Sequence, residues 1–331
     1  MISTVISIYN PNEFLEKQLD SIRNQSCPVD EVILVDDASS NDAPERIESY
    51  IEKHHLKNWK FFRSEQNLGF VNSFRKALCL AGGDLIILSD QDDIWKISKV
   101  ETIKKEFENH PEMLALATSF DEIDENDVLI EVKDQKGKAN HNILRKAVEK
   151  GSLNPLSYPD IAIYSCAPGC TSAIRSSLKD LYLGWQGNLP HDWSLFAIAA
   201  LNGGLYYLDL PTTLYRQHSS NTYGLKHLSQ LDERRKRARQ DLEQKEALKD
   251  LVYAFSDDPR ARKTADEAAR LFKARLDYLS SRKMIKALGV LRQSLSFPFL
   301  YETIGADIKA MLKPGKDESD QQPESNAQEK R

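Results

Sequence analysis

Apolar residues Ile2, Val5, Ile6 and Ile8 form a β-branched run that stops at Tyr9-Asn10-Pro11, which predicts a first strand. Phe14, Leu15, Leu19 and Ile22 then recur at helical spacing as far as Cys27-Pro28, with Pro11 suited to the first turn. The cycle repeats. Residues 32–35 read as a buried strand running into the polar turn Asp36-Asp37-Ala38-Ser39-Ser40-Asn41-Asp42, ahead of a helix carrying Ile47, Tyr50 and Ile51. A third strand is expected at 59–62. Asn67-Leu68-Gly69 turns the chain into a helix with Val71, Phe74, Leu78 and Leu80, closed by Gly82-Gly83. A fourth strand at 85–88 leads straight into Ser89-Asp90-Gln91-Asp92-Asp93. This alternation predicts an α/β fold with a single doubly wound, mostly parallel sheet flanked by helices. In such a sheet ligands bind beyond the carboxyl ends of the strands, where the polar clusters at 9–10, 36–37 and 90–93 fall.

Further along, the pattern predicts a helix through Val100, Ile103 and Phe107, a strand at 114–120, a hairpin tip at 121–127, and a surface excursion over 131–159 with a short helix at 142–148. Strands are expected at 161–164 and 171–174 around the turn Pro168-Gly169, then a helix at 193–201, a strand at 205–208 and a polar loop at 215–221. Beyond Lys226 the pattern changes to charged helices. One covers 230–255; another, over 282–295, is imperfectly amphipathic, with Met284, Ala287, Leu288, Leu291 and Leu295 on one face and Ile285 and Val290 at its edges. The expected organisation is an α/β domain over 1–225, a basic helical extension over 226–313, and a disordered tail over 314–331.

Composition supports a folded chain: 331 residues, 40% hydrophobic and 29% charged, are enough for a substantial core. Apolar runs such as 85–88 and 195–201 fall far short of the roughly 20 residues that span a bilayer. The N-terminal segment lacks the basic and apolar regions of a signal peptide, so a cytoplasmic location is expected. Cys166 and Cys170 lack the C-x-x-C spacing of a zinc or redox pair, and the four cysteines read as buried thiols. The net charge of −5 hides an asymmetry: residues 1–225 carry −10, residues 226–313 carry +7. A basic arm on an acidic body suits anionic lipid headgroups, and nucleic acid is not an expected partner.

The acidic cluster after residue 88 is the strongest chemical signal. Carboxylates two apart at a strand end can face one side, one reaching a ribose hydroxyl and the other a divalent cation that also holds phosphate oxygens. Otherwise Asp93 caps the next helix and its neighbours are solvated loop acids. Asp36-Asp37 ends a second strand, where a carboxylate can meet a base or ribose or cap the helix after Asn41. Neither G-x-G-x-x-G nor G-x-x-x-x-G-K-[ST] occurs, so phosphate charge has to be offset by a metal or by basic side chains.

Ser7-Ile8-Tyr9-Asn10, Val35-Asp36-Asp37-Ala38-Ser39-Ser40, Asn67-Leu68-Gly69, Ser89-Asp90-Gln91-Asp92-Asp93-Ile94-Trp95, His191-Asp192-Trp193 and Tyr215-Arg216-Gln217-His218 stand in that order. Together they resemble family 2 glycosyltransferases of the GT-A fold, most closely the bacterial rhamnosyltransferase-like branch of surface-polysaccharide synthesis. The resemblance covers residues 1 to about 225 and is far less specific for the sugar than for the reaction class.

The resemblance implies nucleotide contacts from Tyr9, Asp36, Asp37, Asn67, Asp90 and Arg216, with Asp37 and Tyr9 at the base, Asp36 at the loop or ribose, and Asp90 toward ribose or metal. It implies Asp92 as the main ligand of Mn2+ or Mg2+, with His218 either a second ligand or a solvent-facing loop residue. Asp192 matches the catalytic base of an inverting transfer, although Asp is also a favourable first-turn helix residue. Pro168-Gly169-Cys170-Thr171 resembles a strand under the acceptor, or is a tight turn. The implied partners are a nucleoside diphosphate sugar, with dTDP-rhamnose leading, and a saccharide or lipid-linked saccharide acceptor. For the basic arm, two readings stay open: peripheral contact with the inner membrane face, or a helical layer on the catalytic domain or a second subunit. The alternative function is a non-catalytic sugar-nucleotide-binding or scaffold protein of a polysaccharide assembly.

Overall fold

Strands β1 (Ile2–Ile8), β2 (Glu31–Asp36) and β4 (Leu85–Ser89) are almost wholly buried, with no alternation of apolar and polar residues, in the computed structural model, which describes residues 1–218, 231–281, 283, 285–297 and 300–312. The reason is that both faces are covered. Val5, Ile33, Val35 and Leu88 share a core with Phe74, Ala77 and Leu78 of helix α3 (Phe70–Leu80). Ile6, Ile8, Val32 and Leu34 pack on the other side against α1 (Leu15–Arg23) and α2 (Ala43–Lys53).

The sheet is completed by β3 (Trp59–Arg63), β5 (Ile94–Trp95), β6 (Ala115–Ile123), β7 (Leu129–Ile130), β8 (Leu153–Leu156), β9 (Ser172–Arg175) and β10 (Leu205–Arg216). Its order is β3-β2-β1-β4-β9-β6-β10-β5, with β7 on β6 and β8 on β10. Pairs β3-β2, β2-β1, β1-β4 and β6-β10 are parallel, while β9 runs antiparallel between β4 and β6. Two reversals restore the direction, so β6 and β10 end at the same edge as β1, β2 and β4. That edge therefore collects the residues after Ile8, Asp36, Ser89, Ile123 and Arg216, and the turn that enters β9. Helices α4 (Lys99–Asn109), α5 (Tyr158–Ile161), α6 (Ser176–Gly184) and α7 (His191–Leu201) complete the layers. Every residue of α7 from Trp193 to Ala200 is buried, so this helix lies within the core.

The expected doubly wound sheet is observed, with four local corrections. Residues 161–164 are not a strand: Ser157 and Asp160 form a reciprocal capping box that starts α5. The short helix expected at 142–148 is absent, because Asn140, His141 and Asn142 all take positive φ and Ala139 bridges Leu144. Of the loop expected at 215–221, Tyr215 and Arg216 belong to β10, and residues 219–221 lie outside the described residues. Cys79 is exposed, although Cys166 and Cys170 are buried as expected.

Contacts divide the chain into two units, Met1–Lys226 with Leu242–Arg270, and His227–Asp241 with Leu271–Arg331. The stretch expected as a helical extension holds α8 (Leu231–Phe255), α9 (Pro259–Ser281), α10 (Ile285–Gln293) and α11 (Tyr301–Leu312), and contributes to both units. In the first, Leu248, Leu251, Val252, Ala261 and Ala265 join the core. In the second, Arg275 is clamped between Asp241 at 2.7 Å and Asp307 at 2.6 Å. The expected apolar face of α10 is also corrected: Ala287 and Val290 are buried, whereas Leu288 and Leu295 are exposed. The expected disordered tail 314–331, Arg282 and Met284 lie outside the described residues. None of the described helices is long and apolar enough to cross a membrane.

Candidate active site

At the carboxyl edge, the loops after the strands are tied to one another through side chains. The Tyr9 amide donates to Gln91 Oε1 at 2.9 Å and Gln91 Nε2 donates back to the Tyr9 carbonyl at 3.2 Å, which leaves the Tyr9 ring half exposed at the rim. Gln91 carries no role in the sequence reading, since an amide between acids gives no periodic or charge signal. Asn10 and Ala38 both take positive φ, and the Ser40 amide donates to Asn10 Oδ1 at 2.8 Å.

Asp36 and Asp37 turn inward. Asp37 accepts from the Leu68 amide at 2.8 Å and the Gly69 amide at 2.9 Å, one on each carboxylate oxygen. Asn67 completes that turn: its Nδ2 donates to the Asp37 carbonyl at 3.3 Å and its Oδ1 accepts from Gly69 at 3.0 Å. Gly69 sits at φ 76°, where a side chain would be strained. Asp36 is fully buried, accepts from the Ser39 amide at 3.1 Å and lies 3.5 Å from Arg63 Nε, so it supports its own loop.

The residues after β4 form a crowded acidic site. Atoms of Asp90, Asp93 and Cys170 that could ligate a metal lie within 4.8 Å of one another. Burial, reinforced by Asp93 and Asp92, holds the Asp90 carboxyl well above the usual carboxylate range, and burial with Asp92 pushes Asp93 up to about 7. Asp92 pairs with His218, whose Nε2 lies 2.9 Å from Oδ2. The Asp93 backbone partner is not a helix start, because α4 begins only at Lys99; Asp93 Oδ1 instead accepts from the Arg216 amide at 3.0 Å. The Arg216 side chain is buried, donates from Nε to the Asp92 carbonyl at 2.8 Å, lies 2.5 Å from Asp127 Oδ1 and stacks over Phe14. Its position makes it a strut for the acidic loop. Lys99, absent from the sequence reading, is fully buried and donates to the Cys170 carbonyl at 2.6 Å and Thr213 at 2.8 Å. Burial pushes its amine down to about 8 despite the nearby Asp93 and Asp90. An isolated lysine in a charged helix pattern carries no sequence sign of this inward path.

Asp192 occupies the first turn of α7 and accepts from the Trp193 amide at 2.8 Å. Burial outweighs that hydrogen bond and pushes its carboxyl up to about 6. A Cβ added at Gly169 would meet His191 Nε2 at 2.8 Å and Asp192 Cβ at 3.3 Å, so only glycine lets the turn into β9 approach this helix end. Cys170, next in that turn, touches the Asp90–Asp93 group, and Asp90 feels the Asp192 charge. The turn thus links the two acidic sets. His191 is buried, stacks on Phe74 at 3.8 Å and is driven down to about 3 by burial, so its ring is neutral. Trp193 anchors the helix by donating from its indole to the Ile161 carbonyl at 2.9 Å, with Lys245 Nζ over its ring.

The model of glycosyl transferase family 2 matches residues 3–179, over half of the chain. The chain belongs to glycosyl transferase family 2. An uncharacterized glycosyltransferase of Methanocaldococcus jannaschii is 33% identical over 141 residues, which is 42% of this chain and 48% of that protein. The chain therefore spans about half the length of this family relative. A dTDP-rhamnosyl transferase of Shigella flexneri is 26% identical over 232 residues, 66% of this chain and 73% of its own. Among solved structures, S. aureus TarS 1-349 aligns with a TM-score of 0.56 at 17% identity, covering 94% of this chain and 81% of that 1-349 chain. The Pyrobaculum calidifontis mannosyltransferase, solved with GDP-Man and Mn2+, aligns with a TM-score of 0.53 at 17% identity, covering 94% and 85%. At these identities the structural likeness establishes the fold, and the fold is the GT-A arrangement of the family.

Proposed function

We propose that this chain is an inverting glycosyltransferase that moves a sugar from a nucleoside diphosphate donor to a saccharide or lipid-linked saccharide acceptor in bacterial surface-polysaccharide synthesis. The observation that carries this reading is Asp192: a carboxylate at the first turn of a buried helix, brought by Gly169 beside the acidic loop and raised by burial to about 6. A base of that pKa is ionised at neutral pH yet still takes a proton readily.

In the proposed step Asp192 accepts the proton of an acceptor hydroxyl as that oxygen bonds to the anomeric carbon. The bond from that carbon to the phosphate oxygen breaks on the opposite face, its electron pair leaves with the nucleoside diphosphate, and the configuration inverts. In this reading Tyr9, half exposed at the rim, stacks on the base, while Asp36, Asp37 and Asn67 hold the loops around it. Arg216 braces the acidic loop through the Asp92 carbonyl, and Lys99 ties the Cys170 turn to β10 through Thr213.

The donor set fits a hard divalent cation, because Asp90 and Asp93 are buried close to one another and to Asp92, at a cost recorded in the raised pKa of Asp90 and Asp93. Asp92 and Asp90, with His218 beside Asp92, would hold Mn2+ or Mg2+, which would offset charge on the departing diphosphate. The presence of Mn2+ with GDP-Man in a solved mannosyltransferase of this fold supports that choice. The dTDP-rhamnosyl transferase relative makes dTDP-rhamnose the first donor to try.

Calorimetric titration with dTDP, UDP and GDP, with and without Mn2+, tests the reading. Metal-dependent binding of one nucleotide, weakened in Asp92→Ala, is the expected result. Absence of binding to all three would favour a scaffold role.

A further inference from the structure

Helix α10 in the second unit is apolar on two sides. Ala287 and Val290 are buried with Ser294 of the following turn, as spacing of three and four residues requires of one packed face. Facing the other way, Ile285 is 76% exposed, Leu288 67%, Leu291 37% and Leu295 69%. Four aliphatic side chains within eleven residues is more apolar surface than scattered exposure produces. The charges within this stretch of sequence have one sign. Lys283, Lys286 and Arg292 are exposed, and no Asp or Glu occurs anywhere in residues 278–301.

We infer that the outward face of α10 seats on an anionic lipid surface, with Ile285, Leu288, Leu291 and Leu295 at the boundary of headgroups and acyl chains and Lys283, Lys286 and Arg292 on headgroup phosphates. A long basic side chain keeps its charge in water or on phosphate while its stem lies along apolar surface, so Arg292 among the leucines is compatible with this seat. The combination of an apolar stripe and cations in a stretch without Asp or Glu is what makes binding depend on anionic lipid. A second copy of the chain is a poorer occupant, since pairing this face with itself sets Lys286 and Arg292 against their own counterparts without an acid to offset them. The inference does not depend on the nucleotide site.

The full chain is tested by flotation with vesicles of phosphatidylcholine mixed with phosphatidylglycerol, and with vesicles of phosphatidylcholine alone. Partition onto the mixed vesicles is expected to exceed partition onto the neutral ones by about tenfold or more. The double variant Leu288→Ser, Leu295→Ser and the double variant Lys286→Glu, Arg292→Glu are each expected to lose about tenfold of that partition. All four residues are exposed, so both variants should keep the parent's circular dichroism and its nucleotide titration. Equal partition of the parent onto both vesicle types would overturn the proposal. So would variants that float like the parent, or a parent that does not float but forms a dimer that the variants dissolve.

Discussion

His218 Nε2 lies 2.9 Å from Asp92 Oδ2, a contact between residues 126 apart in the sequence. It exists because β10 runs parallel to β6, and β6 to β4 through two antiparallel steps at β9, so the end of β10 returns to the edge where β4 ends. Arg216 fixes the approach, with its backbone amide on Asp93 and its guanidinium on the Asp92 carbonyl. A loop carrying a candidate metal ligand is thereby locked to the loop carrying the others.

If that pair belongs to the donor site, His218→Ala should weaken Mn2+-supported nucleotide binding by about tenfold, close to one lost ligand interaction. Binding without metal should change little. Calorimetry of both conditions reads the difference, and equal loss in each would mean that His218 acts on the loop alone.

Asp192→Asn removes the proposed base while keeping size and the Trp193 hydrogen bond. Transfer should fall by about a hundredfold or more, the range of general-base contributions, with nucleotide affinity unchanged. Initial rates with the donor selected by titration provide the measurement.

Burial raises Asp192 to about 6, and the base works only when ionised. The rate should therefore climb as pH rises through about 6 and flatten above it, with about a tenfold fall for each unit below. A rate profile flat through this window in the wild type would assign the base elsewhere.

Gly169→Ala places a methyl at 2.8 Å from His191 Nε2 and 3.3 Å from Asp192 Cβ. The His191 ring is stacked on Phe74 and buried, so it has little room to yield. A loss of about 1–3 kcal/mol is expected in denaturant unfolding, as for other overpacked sites, together with a slower transfer.

His141 pins the corrected segment around Asn140 to β6, with Nε2 2.7 Å from the Phe120 carbonyl and Nδ1 3.2 Å from Glu122. Burial opposes its protonation, but Glu122 and the Phe120 carbonyl prevail and raise its pKa above 6.5. A histidine raised on folding contributes stability that is complete below 6.5 and lost as pH rises through the folded value. Amide exchange over residues 139–144 should accordingly quicken across that window, and Glu122→Gln should flatten the response.

The alternation of strand and helix, the buried parallel strands and the acidic clusters at their ends were legible in the sequence because they are local: β-branched runs, helical spacing and turn residues act within a few neighbours. The same locality explains the misses. Residues 161–164 are apolar enough for a strand, yet a capping box four residues earlier starts a helix. The expected face of α10 followed hydrophobicity alone, and burial placed Val290 inward and Leu288 outward, because what covers a helix is chosen by its neighbours. Motif order named Asp90, Asp92, Asp192 and His218, but not what surrounds them. That Asp37 spends both oxygens on the amides of Leu68 and Gly69, that Arg216 is a buried strut, and that Lys99 reaches Cys170 follow only from the strand order that brings distant loops to one edge. Carboxylate acidity belongs to the same class of facts: it depends on desolvation and on charges many residues away, and these are set when the chain has folded.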